Sequence, residues 1–244
     1  MNIMFLMGGF RLETNKEEYP LYLTEVNGKT ILERQVEYTR KIQPQQLLFC
    51  LKNSEATQFN TDSMIRQLEP AAKIIGIKNR TQGAICSALL ATEYIDNDHE
   101  LLLMAIDDFI EDDAPEVIGG FRKASADAGV VSFTSIHPRY SFAQTDANDI
   151  PVEFAEKKPI SKNALVSFYY FKQGRDFVEC AKEVIRKGNL VNGNFYISQT
   201  LNEMILKQKK ITMRKISNDK FNPLKTEAQM AEYMYEHREK KDSK

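Results

Sequence analysis

The strongest constraint on the fold is a recurrence of short, largely apolar runs separated by segments of helical periodicity. Residues 3–7 (IMFLM), 46–51 (QLLFCL), 73–77 (KIIGI), 101–106 (LLLMAI) and 129–135 (GVVSFTS) are five such runs. Each is short and lacks a polar face, which predicts strands buried on both sides. Between them, residues 30–42 place Ile31, Leu32, Val36 and Tyr38 at roughly helical spacing, and 58–68 and 84–95 also read as helices. A further helix is expected over 114–127, with Pro115 in its first turn, where a missing N–H costs little. The order β-α-β-α-β-α-β-α-β predicts an α/β fold: a mainly parallel, mixed sheet covered by helices on both faces, of Rossmann-like type.

The later half is more mixed. Strands are expected over 152–157, 164–172 and 210–216, and helices over 174–187, 195–206 and 226–240. No repeat or long linker interrupts the chain, so a single domain over 1–240 is expected. The ending EHREKKDSK reads as a charged, frayed tail.

Composition excludes several function classes. A formal net charge of -1 over 244 residues argues against a nucleic-acid partner. No apolar run reaches membrane-spanning length, and the first residues lack a basic segment and a small-residue cleavage site, so a cytoplasmic protein without a membrane partner is expected. Cys50, Cys86 and Cys180 each lie in an apolar segment and read as buried thiols in a reducing compartment. His99, His137 and His237 are too scattered to suggest a zinc site.

In parallel sheets ligands bind beyond the carboxyl ends of the strands. Residues just after Met7, Ile77, Ile106 and Ser135 should therefore line one cleft. Gly8 and Gly9 would let backbone N–H groups approach a phosphate, and Arg11 could pair with its oxygens; the plainer reading is a tight turn with a solvated arginine. Thr81-Gln82-Gly83 leads into a helix. Thr81 can serve as its cap, whereas the Gln82 amide suits a nucleobase edge and Gly83 the approach of a flat ring. Asp107 and Asp108 end the most hydrophobic run. Oxygen ligands there suit Mg²⁺ held with substrate phosphates, against the alternative of solvated turn formers. Glu156 and Lys157 precede Pro159 and could face an acceptor or form an ordinary exposed turn. Asn194 is a helix cap or a ligand contact.

Taken in order, MGGFRL, YPLYLTEVNGKTILE, TQGAICSAL, LLLMAIDDFI, FAEKKPIS and NPLKTEAQMAEYM resemble the motifs of the sugar-phosphate nucleotidylyltransferase family, especially members from capsule and lipopolysaccharide clusters. No single motif is specific; the ordered set is. The resemblance spans nearly the whole chain and implies a GT-A-like fold, with a nucleotide-binding half over 1–135 and an acceptor-binding half over 136–240. It implies attack of an acceptor phosphate oxygen on the α-phosphorus of a nucleoside triphosphate, with release of pyrophosphate and Mg²⁺ as cofactor. By the same resemblance Gly8, Gly9 and Arg11 hold the triphosphate and Gln82 and Gly83 face the base. Asp107 binds Mg²⁺ with Asp219 as second ligand, and Glu156, Lys157 and Asn194 face a small phosphorylated acceptor. Arg11, Asp107 and Lys157 would carry catalysis. A pyrimidine base, CTP or dTTP, is implied by the resemblance alone, and a homo-oligomer is left open. The chain departs from the family twice: the glycine loop is shorter, and Leu21 follows Pro20 where members carry a lysine. Two other readings stay open, a nucleotide-binding relative without catalysis and a glycosyltransferase on the same fold.

Overall fold

The computed structural model describes residues 1–8 and 19–242. The chain begins with β1 (Asn2–Leu6), then a hairpin of β2 (Glu25–Val26) and β3 (Lys29–Thr30) that runs into α1 (Ile31–Arg40). Asn27 and Gly28 make the hairpin turn with φ of 52° and 77°, the left-handed region that a two-residue turn of this kind requires. Thr30 and Glu33 form a reciprocal capping box that fixes the start of α1. Next come β4 (Gln46–Lys52), α2 (Asn53–Phe59), α3 (Thr61–Leu68), β5 (Lys73–Ile77), α4 (Ala84–Leu89), α5 (Thr92–Ile95), β6 (Leu101–Ala105), β7 (Asp108–Ile110) and α6 (Ala114–Lys123). The remainder is β8 (Ala128–Thr134), β9 (Ser141–Thr145), β10 (Pro151–Glu156), β11 (Asn163–Phe171), α7 (Gly174–Arg186), α8 (Ser198–Leu206), β12 (Ile211–Lys215), β13 (Phe221–Pro223) and α9 (Glu227–Asp242).

All five apolar runs form strands, and four of them, β1, β4, β5 and β6, make the parallel set, whereas the fifth, β8, pairs antiparallel with β11. β1 pairs in parallel with β4 on one side and β6 on the other, and β4 pairs in parallel with β5. The chain thus runs outward from β1 through β4 to β5, then returns across the sheet to place β6 on the opposite flank of β1. The strand order reverses between β1 and β6, which is where open α/β sheets form their ligand crevice. An antiparallel extension follows: β11 joins β6, with β8 and β9 both paired to it, β10 on β9 and β12 parallel to β8.

Side-chain alternation splits the core into two layers. Ile3 and Phe5 of β1, Phe49 of β4, Met104 of β6 and Phe168 of β11 pack with Leu32 and Val36 of α1, Ile65 of α3 and Phe121 of α6. Met4, Leu48, Leu103 and Phe171 face the other way, onto Ile85 and Ala88 of α4, Phe177 and Ala181 of α7 and Leu201 of α8. Helices therefore cover both faces, the arrangement that strands apolar on both sides demand. A third, small cluster joins Val26, Ile31, Leu224, Met230 and Tyr233, with Leu21 against it. It ties the β2–β3 hairpin to α9 and to the segment before it. Cys50 and Cys180 are buried, Cys86 is half-buried, and all three are free thiols. No helix among the described residues is long and apolar enough to cross a membrane.

Two expected helices are broken. The segment 58–68 divides at Asn60, which adopts a left-handed conformation (φ 51°) that asparagine tolerates better than most residues. Within 84–95, the Thr92 hydroxyl donates to the Leu89 carbonyl at 2.5 Å and competes with the backbone there, separating α4 from α5. The helix expected from 195 begins only at Ser198, and β2, β3, β7, β9 and β13 lie outside the expected strands.

Candidate functional site

The parallel register sets the geometry of the crevice. Leu6 pairs with Ala105, the Ile106 N–H donates to the Leu6 carbonyl, and the Met7 N–H to that of Cys50. Gly8 and Asp107 therefore emerge side by side at the switch point, two residues beyond paired strand ends. A Cβ on Gly8 would lie 2.6 Å from Cδ1 of Ile77, so the glycine lets β1 end against the tip of β5. Gly9 and Arg11 lie outside the described residues.

The turn carrying Asp107 is held from below. Gln35, fully buried on α1, donates its amide to the carbonyls of Ile106 (3.2 Å) and Asp108 (3.0 Å). The Leu224 N–H donates to the Asp107 carbonyl at 2.7 Å, because β13 pairs antiparallel with β7 and brings Pro223 opposite Asp108. Asp107 is half-buried at the tip. Asp108 is buried, 2% exposed, with one carboxylate oxygen accepting from the Ser167 N–H at 3.0 Å and the other 2.8 Å from the Lys225 ammonium. Burial opposes the charge on Lys225, but the neighbouring Asp108 and Asp107 outweigh it and hold the ammonium protonated well above the ordinary lysine range.

The same register keeps Asp219 away. Phe221 lies opposite Ile110, two strand steps or roughly 7 Å beyond Pro223, and Asp219 lies further on still. The neighbouring Lys220 donates to Asp112 at 2.7 Å, which also pairs with Arg214, and this anchors the turn at that distance. Asp219 does not join Asp107, and among the described residues no three His, Cys, Asp or Glu side chains form a cage for a metal. Asp107 alone fits Mg²⁺ at this tip, as the single carboxylate that such an ion needs when substrate phosphates supply its other ligands.

The antiparallel extension builds the second wall. Ser141 opposite Glu156 and the bond from the Lys157 N–H to the Tyr140 carbonyl (3.0 Å) hold the end of β10 against β9. The Glu156 carboxylate accepts from the hydroxyls of Ser141 and Ser198, the latter at 2.7 Å. Burial, only partly offset by these hydroxyls, raises its pKa above the ordinary 4.5. Its chief work is thus internal, pinning α8 to the β9–β10 end. Lys157 has a left-handed backbone (φ 54°), and its ammonium sits over the Tyr196 ring, 5.0 Å from the centroid. Tyr169, buried on β11, connects the two walls. Burial first, then the Glu156 and Asp108 charges, push its hydroxyl above the ordinary tyrosine range.

The raised Glu156 pKa makes a pH prediction. Folding favours the neutral acid, so this contribution to stability is present below pH 4.5 and is lost as pH rises through the folded pKa. Glu156→Gln keeps an acceptor for both serines and removes the buried charge. Melting curves should show it at least as stable as the parent above the transition, with the difference vanishing in acid. A variant less stable at every pH would remove this account.

Gln82 is exposed at the mouth of the loop after β5. Gly83 has φ of 101°, and a Cβ there would stand 2.4 Å from the Phe195 carbonyl oxygen and 2.8 Å from its nitrogen. The close approach this glycine permits is made by the chain's own backbone rather than left open for a flat ring, which corrects the reason expected for it. The Phe195 N–H also donates to the Gln82 carbonyl at 2.8 Å, so this loop and Asn194 are one unit. The Asn194 amide donates to the Asn192 carbonyl at 2.9 Å and shapes its own turn; it does not cap α8, where Gln199 takes the Tyr196 N–H instead. Thr81 bonds to Ser87, hydroxyl to hydroxyl, at 2.7 Å. Sequence reasoning missed Lys225, Gln35, Ser141, Ser198 and Tyr169. Only the polar positions Ser141 and Tyr169 lie on strands that end in the cleft, and nothing local marks the others.

No protein-family model and no curated protein matches the chain. Solved structures do. The nucleoside-diphosphate-sugar pyrophosphorylase from Vibrio cholerae RC9 superposes with a TM-score of 0.78 at 20% identity, over 96% of this chain and 100% of its own. A UDP-glucose pyrophosphorylase complexed with UDP-glucose matches at 0.76 and 15% identity, over 98% of each chain. An apo UDP-glucose pyrophosphorylase matches at 0.78 and 12%, again over 98% of each. The chain therefore has the sugar-nucleotide pyrophosphorylase fold over almost its entire length.

Proposed function

We propose that the chain is a nucleotidylyltransferase that joins a nucleoside triphosphate to a small phosphorylated acceptor, a sugar phosphate or similar, and releases pyrophosphate. The observation that carries this reading is the emergence of Gly8 and Asp107 side by side at the switch point. It is supported by the shared fold with proteins named as pyrophosphorylases, one of them complexed with UDP-glucose. That ligand also supports a pyrimidine triphosphate, CTP, dTTP or UTP, as donor. Supply of an activated precursor for surface polysaccharide is the role that the sequence resemblance supports.

In this reading the amides of Gly8 and Gly9 and the Arg11 guanidinium hold the triphosphate. Gln82 and the Gly83 turn meet the base, and Lys157 and Asn194 meet the acceptor, with Glu156 fixing the wall that carries Lys157. Asp107 would hold Mg²⁺, which would supply neutralisation of phosphate charge; the acceptor oxygen attacks the α-phosphorus and the bond to the departing pyrophosphate breaks. Catalysis here is positioning and charge compensation, since the attacking phosphate already carries its negative oxygen.

The test is pyrophosphate release with Mg²⁺ across nucleoside triphosphates and phosphorylated metabolites. Release that needs both substrates is expected. Nucleotide binding without release from any pair would leave a binding protein, and nucleoside diphosphate release from a sugar nucleotide would make the chain a glycosyltransferase.

A further inference from the structure

We infer that Lys225 is a phosphate-binding residue of this crevice, a cation built into the tip of β6. The inference rests on the nucleotidylyl-transfer reading for the identity of the ligand. The pair it forms with Asp108 is lopsided: the aspartate is 2% exposed and the lysine 37%. The ammonium lies against the Asp107–Asp108 turn at the tip of β6 and feels the charges of both carboxylates. The ammonium stands 2.8 Å from one Asp108 oxygen as an ion pair, and an ammonium carries three N–H donors, more than that one contact can use. The ammonium is fixed in place from both sides. Asp108 is anchored by the Ser167 N–H, and the lysine backbone follows Leu224, whose N–H is bonded to the Asp107 carbonyl and whose side chain is buried in the third apolar cluster.

The consequence for metal binding is direct. Buried, with one oxygen on the Ser167 N–H and the other paired with Lys225, Asp108 is committed to holding the tip together. The tip offers a divalent ion one carboxylate, that of Asp107, and supplies its second positive charge as an ammonium. Leu21, a hydrocarbon side chain packed on the same small cluster as Leu224, supplies no charge here.

The experiment is calorimetric titration with UTP and with inorganic tripolyphosphate, each in EDTA and in Mg²⁺. Removing Lys225 alone would strand a buried carboxylate, so the decisive variant is the neutral pair Asp108→Asn with Lys225→Met, which preserves net charge; its melting temperature reports whether the fold survives. Loss of a charge-assisted hydrogen bond should weaken both probes roughly ten-fold or more in that variant. Lys225→Arg should bind within about three-fold of the parent. Asp108→Asn alone should bind no more weakly than the parent. Equal affinity of the parent and the neutral pair for tripolyphosphate in both conditions would overturn the inference, and so would a parent that binds neither probe. If the pair variant loses affinity but no combination of substrates releases pyrophosphate, Lys225 keeps its role and the proposed reaction falls. If pyrophosphate is released while the affinities stay equal, the reaction stands and Lys225 does not.

Discussion

Asp107→Asn should lower the rate of pyrophosphate release at least about 100-fold and leave the protein folded. The size follows from removing one group that stabilises developing charge in a preorganised site. The fold should survive because main-chain and neighbouring groups hold the turn. The Asp107 carbonyl accepts from Leu224, and Gln35 grips the carbonyls on either side. Asparagine keeps the shape and loses the charge, so the melting temperature should change little. Raising the Mg²⁺ concentration should restore part of the rate if the aspartate acts by holding the ion. A rate within three-fold of the parent would remove Asp107 from the chemistry.

Gly83→Ala should cost about 2–6 kcal/mol of stability. Part is backbone strain of order 1–3 kcal/mol, since φ of 101° is a region that alanine rarely adopts. The rest is overpacking of a further 1–3 kcal/mol, because the added methyl meets the Phe195 backbone, which cannot rotate away as a side-chain end could. For a chain of this length the melting temperature should fall by roughly 5 °C or more. Gly119→Ala in α6 is the control. Nothing lies within 4 Å of its Cβ position, so it should be neutral or stabilising by up to about 1 kcal/mol. If both variants melt alike, the contact with Phe195 is not what fixes the loop. If Gly83→Ala does fold, it should also bind acceptor less well, because Asn194 moves with Phe195.

The parallel half was legible in the sequence because burial on both faces leaves an unbroken apolar run, as in β1, β4 and β6, while β5 at the edge keeps Lys73 and Gly76 exposed. The positions of Asp107, Glu156 and Lys157 were legible for a related reason: each closes a strand, and a strand end in such a sheet has a known destination. The short strands were not. Ser141–Thr145 and Phe221–Pro223 carry too few apolar residues to show a period, and they exist because a partner strand is already in place. The place of Asp219, beyond Phe221 rather than beside Asp107, was hidden for the same reason. Without the pairing of β13 to β7, the carboxylate nearest the last helix looked like the one to reach the tip. With it, Leu224 and Lys225 arrive there instead. Gln35 was hidden differently, since on a helix at that spacing it reads as one polar residue among several.

The union of Asp108 with Lys225 also dates the birth of the crevice. β6 ends at residue 105, yet the ammonium at its tip comes from residue 225. The crevice is electrostatically complete only when the last part of the chain has joined it. Cleavage just ahead of Leu224 should leave the sheet standing and the rim bare.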